Sequence, residues 1–310
     1  MGTGVGFGKV ILFNEHFVVY GLPAIASAIG TRTIALVEKQ EGSGAEINDS
    51  RPETPGYKAE KLHEQKESLQ RMLKFMNIDT EHNHFKITLS GDLIAASGVG
   101  ASAASCAAIA RAFSDELDLK YSDEQVNHVA YEGEKGYHGT PSGIDNTAAT
   151  YGGLIWYKRE GASQIMERMT VRKPVEIVMG NTGIVADTKA VVADVKERKE
   201  KAPEKYAQIF KDAVELVQEA RRQLVAFDLQ QLGISMNKNH ELLRQVGVSC
   251  DELDALVSLA REHGALGAKM TGTGRGGYIV ALTPGTKLQE RVAVEIERKG
   301  FQALRTRIGI

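Results

Sequence analysis

Apolar and polar positions follow different rhythms in the two halves of the chain. In the first half, Val10–Phe13 and Phe17–Tyr20 read as apolar strands parted by the polar Asn14-Glu15-His16. Residues 40–60 are polar and carry Gly, Ser and Pro, which predicts an excursion over the surface. Leu62, Leu69, Met72, Leu73 and Met76 share one side of a helix near Ala59–Met76. Phe85–Leu89 alternates as a strand does, and a Gly/Ala/Ser-rich loop then leads into an Ala-rich helix over about Ala101–Leu117. Ser122 with Gln125 predicts a capping box, opening a helix whose apolar stripe is Val126, Val129 and Ala130.

Beyond residue 150, Gly153–Tyr157 and Val175–Met179 read as strands, and helical spacing then takes over. Tyr206, Ile209, Phe210, Ala213, Leu216, Val217, Ala220 and Leu224 mark a helix over Pro203–Leu224. A second covers about Leu229–Leu243. A third is expected to start at Ser249, with Glu252 completing a capping box, and to stop at Gly264. Ala265–Met270, a glycine loop, Tyr278–Leu282, a helix to Lys299 and a final strand complete the chain. Strands and helices mix without strict βαβ alternation. The pattern predicts α+β architecture in two domains joined near residues 175–190, taken as 1–178 and 179–310.

Composition narrows the function classes. The 310 residues suffice for two domains with a core each. A net charge of −2 recommends neither nucleic acid nor an anionic membrane as a partner. No apolar run reaches the length of about 18 residues that a membrane span needs. The N-terminus lacks the basic region and apolar run of a signal peptide. Cys106 and Cys250 have no metal-ligand spacing, and the expectation is two reduced thiols in a cytoplasmic protein.

The 32 glycines are many for this length, and they cluster. Gly98-Val99-Gly100-Ala101-Ser102-Ala103 lies between a strand and a helix. Glycines let a backbone turn tightly against a ligand, and a helix start offers free N–H groups and a positive dipole end to phosphate. A flexible loop before a tightly packed helix is the alternative. Gly98, Gly100 and Ala103 fit a dinucleotide fingerprint, but the acid it requires falls at the end of a helix, Asp115-Glu116-Leu117-Asp118. The Walker sequence and the protein-kinase signatures are absent. A second loop, Lys269 to Tyr278, holds Gly272, Gly274, Gly276 and Gly277, and is read as either phosphate-facing or a long hairpin turn. A third cluster, Gly6-Phe7-Gly8-Lys9, precedes a strand and is counted with the phosphate-type loops.

The most concentrated chemistry lies in Glu134 to Asn146. Glu134 extends the stripe of Val126, Val129 and Ala130, and a carboxylate on a buried face must be paired or bound to metal. It is either an arginine-paired core acid or a ligand for Mg²⁺, which takes oxygen ligands together with substrate phosphates. His138 lies one turn on, as a capping, core or site residue. Asp145 follows a Pro-Ser-Gly turn and is either a turn former or a base. Phosphoryl transfer needs a phosphate cradle, Mg²⁺, a cation and a group that handles the acceptor proton, and the sequence offers a candidate for each.

Taken together, these segments resemble the three motifs of the GHMP kinases, most closely those of its mevalonate kinases. Gly8 to His16 followed by Val18 to Ala24 is similar to the first motif, Gly98 to Ala103 to the phosphate loop, Glu134 to Asn146 to the H-G-x-P-S-G-x-D-N segment, and Gly267 to Gly277 to the third motif. The resemblance spans nearly the whole chain in the family's order. It implies a two-domain GHMP fold with the active site in the cleft between domains, the last strand packing back on the first. It implies transfer of the ATP γ-phosphate to the 5-hydroxyl of (R)-mevalonate. Asp145 would be the base and Lys9 would favour the alkoxide. Ser102 and Glu134 would hold Mg²⁺. The backbone of Gly98, Val99, Gly100, Ala101, Ser102 and Ala103, with Gly272 and Gly274, would bind ATP. Glu15, His16, His138 and Thr188 would line the substrate pocket. The resemblance also implies a homodimer. Three positions depart from the motifs: Asn14 and Ala101 stand where Gly and Ser are usual, and Arg275 interrupts the third glycine run. Phosphomevalonate kinase, a kinase for the mevalonate 3-hydroxyl and a non-catalytic ligand sensor on the same scaffold are the alternatives.

Overall fold

The computed structural model describes residues 1–96, 98–161 and 163–310, and for Ser163 and Gln164 the backbone alone. Along the chain run β1 (Gly2–Phe13), a 3-10 helix (Phe17–Tyr20), β2 (Ala24–Gln40), β3 (Gly44–Asp49), α1 (Tyr57–Glu60), α2 (Leu62–Phe75), β4 (His84–Gly91), α3 (Ala101–Glu116), α4 (Asp123–His138) and α5 (Ile144–Tyr151). They continue with β5 (Leu154–Glu160), β6 (Ser163–Met169), β7 (Val175–Asn181), α6 (Thr188–Lys201), α7 (Pro203–Ala226), α8 (Leu229–Gln245), α9 (Asp251–Glu262), β8 (Gly267–Thr271), β9 (Tyr278–Leu282), α10 (Thr286–Arg298) and β10 (Gln302–Ile308). The mixed α+β class is as expected. No helix among the described residues is long and apolar enough to cross a membrane.

Two compact units divide the chain: Met1–Lys9 with Ala28–Gly152, and Val10–Ser27 with Gly153–Ile310. In the first, β4 lies between β2, antiparallel from Thr33↔Gly91 to Gln40↔His84, and β3, parallel from Gly44↔His84 to Asp49↔Leu89. Its core joins Ile87 and Leu89 of β4 to Leu69 and Met72 of α2, the alanines of α3, and Val126, Val129 and Ala130 of α4. The capping box at Ser122 forms as expected, satisfying two end groups of α4 reciprocally.

The glycines at the N-terminus have a packing role. A Cβ on Gly2, Gly4 or Gly6 would stand 2.2, 2.1 and 2.0 Å from the carbonyl oxygens of Ala112, Ala108 and Ala104. Two residues of strand rise about 6.7 Å and four of helix about 6 Å, so the two periods march in step. β1 thus lies directly on the backbone of α3, an approach only glycine permits. This corrects the expectation that Gly6-Phe7-Gly8 is a phosphate-type loop: it is strand, and its glycines admit a helix rather than a ligand.

The second unit contains the order β10-β7-β9-β8, antiparallel throughout. α8 and α9 pack on β8, and α10 packs on β7 and β10. Residues Ala24–Ser27 of β2 pair with β5, which pairs with β6. The core gathers Met270, Ile279 and Ala281 with Leu243, Leu256, Val257, Tyr206 and Ile209. Two expectations fail here. Phe17–Tyr20 is a 3-10 helix rather than a strand, because left-handed His16 (φ 61°) and Gly21 (φ 80°) turn its backbone bonds inward, with Val19 N–H on His16 O. The predicted capping box at Ser249 is absent. Cys250 takes the cap position, and the Ser249 hydroxyl donates to Asp254 at 2.5 Å.

Candidate active site

In the first unit the phosphate-type loop reaches α3 through Gly98 (φ 90°) and Gly100 (φ 71°), both left-handed. Gly100 is the N-cap and provides no side-chain cap, which leaves first-turn N–H groups available. Glycine is required there for a second reason. A Cβ would stand 2.6 Å from Cγ of Lys9, whose side chain runs beneath the loop. The Lys9 backbone N–H donates to Val99 O at 2.9 Å, pinning the end of the glycine strand to the loop.

Lys9 is only 4% exposed, and its Nζ lies 3.0 Å from Oδ1 of Asp145. Asp145 sits in the first turn of α5, behind left-handed Gly143 (φ 91°), and its side chain keeps 29% of its surface open. A sealed ammonium therefore holds a carboxylate that solvent and ligands can reach. Asn146 beside it is buried, its amide bonded to Asn127 Oδ1 at 2.7 Å.

Glu134 on α4 is 1% exposed, and its Oε1 has no hydrogen-bond partner among the described residues. Burial pushes its carboxyl above the usual range. The charge of Asp145 adds to that, while His138, a hydrogen bond from Ser102 and the charge of Lys9 pull it back. His138 Nε2 stands 3.8 Å from Glu134 Oε2 on a half-exposed ring. The arginine-paired alternative for Glu134 finds no arginine among the described residues. A buried orphan oxygen beside a serine hydroxyl and an aspartate suits a hard divalent cation that draws its remaining ligands from phosphate and water. No cluster of three His, Cys, Asp or Glu side chains suited to metal occurs among the described residues. A protein cage of that kind is not what Mg²⁺ with a nucleotide requires. The first unit thus brings together Lys9, the loop 98–103, Glu134, His138 and Asp145.

The second unit holds the other candidates. Asn14, in the left-handed region at φ 71°, donates its amide to Pro23 O at 2.8 Å and to Ala213 O at 3.1 Å. Asparagine at a glycine-type position thus ties the turn down. Glu15 is buried and ion-paired with Lys269, itself fully buried. His16 donates from Nε2 to Thr273 O at 2.6 Å, which fixes that tautomer. Burial lowers its pKa, the Thr273 carbonyl opposes, and the charge of Arg275 lowers it further. The Thr188 hydroxyl, at the start of α6 behind the Asp187 N-cap, meets the Thr273 hydroxyl at 2.8 Å.

The glycine loop after β8 is shaped mainly by its neighbours. Gly274 (φ 81°) would drive a Cβ to 2.1 Å from Val248 O, and Gly272 is left-handed at φ 86°. Arg275 turns away to Asp194 of α6 and to the carbonyl of Gly247. Sequence reasoning missed Lys269 and Arg51. Arg51, 5% exposed, bridges Asp49, the Thr33 hydroxyl and, at 3.4 Å, the carbonyl of Ala101 at the start of α3. Arg51 stands in a polar stretch without periodicity that marks nothing, whereas Lys269 interrupts the apolar run Ala265–Met270, and that lone charge in a strand was the available signal.

Known proteins match this arrangement along its length. The family models for the GHMP kinases N-terminal domain and the GHMP kinases C-terminal region match residues 66–153 and 220–302. A mevalonate kinase of Pyrococcus abyssi is 34% identical over 97% of this chain and 93% of its own length. A mevalonate kinase of Arabidopsis thaliana is 27% identical over 97% of this chain and 96% of its own. Among solved structures, L. major mevalonate kinase in complex with R-mevalonate is 41% identical. It superposes with a TM-score of 0.96, covering 99% of this chain and 96% of that one. With two family models in order and relatives matched from end to end, this chain belongs to the GHMP kinase family.

Proposed function

We propose that the chain transfers the γ-phosphoryl group of ATP to the 5-hydroxyl of (R)-mevalonate. One observation carries the reading: the sealed Lys9 ammonium lies 3.0 Å from the solvent-open Asp145 carboxylate, directly under the glycine loop that opens α3. Phosphoryl transfer is mostly positioning and charge stabilisation. The N–H groups of the loop 98–103 at the α3 start face the nucleotide phosphates. Asp145 accepts the proton of the attacking hydroxyl. Lys9 stabilises negative charge growing on that oxygen and on the phosphoryl group. Ser102 and Glu134 would hold Mg²⁺, which when bound neutralises charge on the phosphates. From the second unit, His16 and Thr188 bind the acceptor with the buried Glu15 backing that pocket, His138 is assigned to the same substrate, and Gly272 and Gly274 serve the nucleotide.

The division at residue 178 belongs to the same proposal, and the two family models fall one on each side of it. A homodimer in the cytoplasm completes it, in line with two free cysteines. A coupled ADP assay over a panel of acceptors is the test. Turnover with mevalonate and Mg-ATP is expected, with the product phosphorylated at the 5-position. Product at the 3-position, preference for phosphomevalonate, or mevalonate binding without ADP release would each replace this reading with another.

A further inference from the structure

Lys269 is fully buried, and nothing in the proposed chemistry uses it. An ammonium is not buried without compensation, so its partners state what it is for. It donates to Glu15 and, at 2.6 Å, to the carbonyl of Met270. Glu15 lies in the middle of a turn whose flanking residues, Asn14 (φ 71°) and His16 (φ 61°), both hold left-handed backbone that costs a side-chain-bearing residue energy. Such a turn persists only where its surroundings over-determine it. Three further bonds join the same two segments. The Thr271 hydroxyl accepts from Ile11 N–H at 3.3 Å and donates to Ile11 O at 3.0 Å, and His16 Nε2 donates to Thr273 O at 2.6 Å. From behind, His240 Nδ1 accepts Met270 N–H at 3.3 Å while its Nε2 meets Asp254 at 3.0 Å, fixing the strand that carries Lys269.

We propose that Lys269 is a positioning residue for acceptor recognition: its ion pair with Glu15 clamps the strained Asn14–His16 turn to β8 and so aims the His16 ring and the Thr273–Thr188 hydroxyls at the acceptor alcohol. The inference rests on the proposed function, because it takes His16 and Thr188 as acceptor-binding groups. It adds a residue that never touches substrate yet sets acceptor affinity apart from nucleotide affinity. Of the groups assigned to ATP, the loop 98–103 and Glu134 belong to the other unit and only the backbone of Gly272 and Gly274 lies near the clamp, so the acceptor is expected to respond more than the nucleotide.

The test is steady-state kinetics on wild type, Lys269→Met and Glu15→Gln/Lys269→Met, with thermal melting of each. Wild-type turnover of mevalonate comes first, since its failure removes the functional reading and not the clamp. Lys269→Met leaves Glu15 buried without its cation, so a lower melting temperature is expected together with a tenfold or greater rise in KM for mevalonate and a KM for ATP within twofold of wild type. The double variant replaces the ion pair with neutral groups. It is expected to regain most of the melting temperature while the mevalonate KM stays high, because the clamp is still missing. A double variant that restores the mevalonate KM along with stability would overturn the proposal, as would equal rises in both KM values. A double variant that does not fold overturns it as well, since the pair would then be a requirement of folding and not of aim.

Discussion

Two buried lysines, each paired with a carboxylate, make an instructive contrast. Lys9 meets Asp145, whose side chain keeps 29% of its surface, whereas Lys269 meets Glu15 with 0% and 1% exposed. Sealing one partner and opening the other leaves a carboxylate held in place yet able to meet a ligand and take up a proton. Sealing both leaves a fixed strut. Breaking a fully buried pair by removing one member costs about 3–5 kcal/mol, while a pair open to water is screened and worth much less to the fold. On the proposed reading, the same chemical pairing serves reaction in one unit and geometry in the other.

That contrast is sharpest in the variant with the largest expected effect. Asp145→Asn keeps the shape and removes the base, so turnover should fall by roughly 10²–10⁴-fold with little change in melting temperature and with ATP binding retained. A nucleotide-binding titration beside the coupled assay checks it, and near-normal turnover would falsify the base assignment. Packing in the first unit gives the next largest effect. Gly6→Val places a side chain where even a Cβ would be 2.0 Å from Ala104 O, and backbone cannot yield there. A loss of about 3 kcal/mol or more is expected, read as a shift of the denaturant midpoint. An unchanged midpoint would show that β1 can lift off α3.

The second unit should answer to pH through His240. Burial lowers its pKa to about 4, with the nearby Asp254 opposing and Lys269 reinforcing. A histidine kept neutral in the fold but free to protonate when unfolded gives stability that is full above about pH 6.5 and is lost as pH falls toward the folded value. Acidification from about pH 6.5 to about pH 5 should cost this group about 1.5 kcal/mol. Melting curves of wild type and His240→Gln at both pH values test it, and parallel shifts in the two proteins would remove the histidine as the cause. The smallest expected change concerns Glu134→Gln, a several-fold higher Mg²⁺ requirement at half-maximal rate. An identical Mg²⁺ titration would argue against Glu134 as a ligand.

Much of this was legible along the chain, and the exceptions have physical reasons. Helical periodicity marked α7, α8 and α10 to within a few residues, because long amphipathic segments carry their own signal. The capping box at Ser122 formed, since both of its bonds are local. The one expected at Ser249 did not, since Asp254, with His240 and Arg244 around it, takes that hydroxyl. Periodicity also misread Phe17–Tyr20, where four apolar residues are too few to separate a strand from a helical turn. Arg275, which interrupts a glycine run, turns to its neighbours Asp194 and Gly247, though its charge still reaches His16.

By itself the sequence determined the α+β class, the family motifs, and the residue types that phosphoryl transfer needs, because motifs and periods are local properties. Only the tertiary structure decided that Gly2, Gly4 and Gly6 admit a helix and not a phosphate, that Glu134 carries an oxygen without a hydrogen-bond partner among the described residues, and that Lys269 meets Glu15 from 254 positions away. Contacts of that kind depend on which distant backbone arrives at a given face, and no window along the chain contains that information.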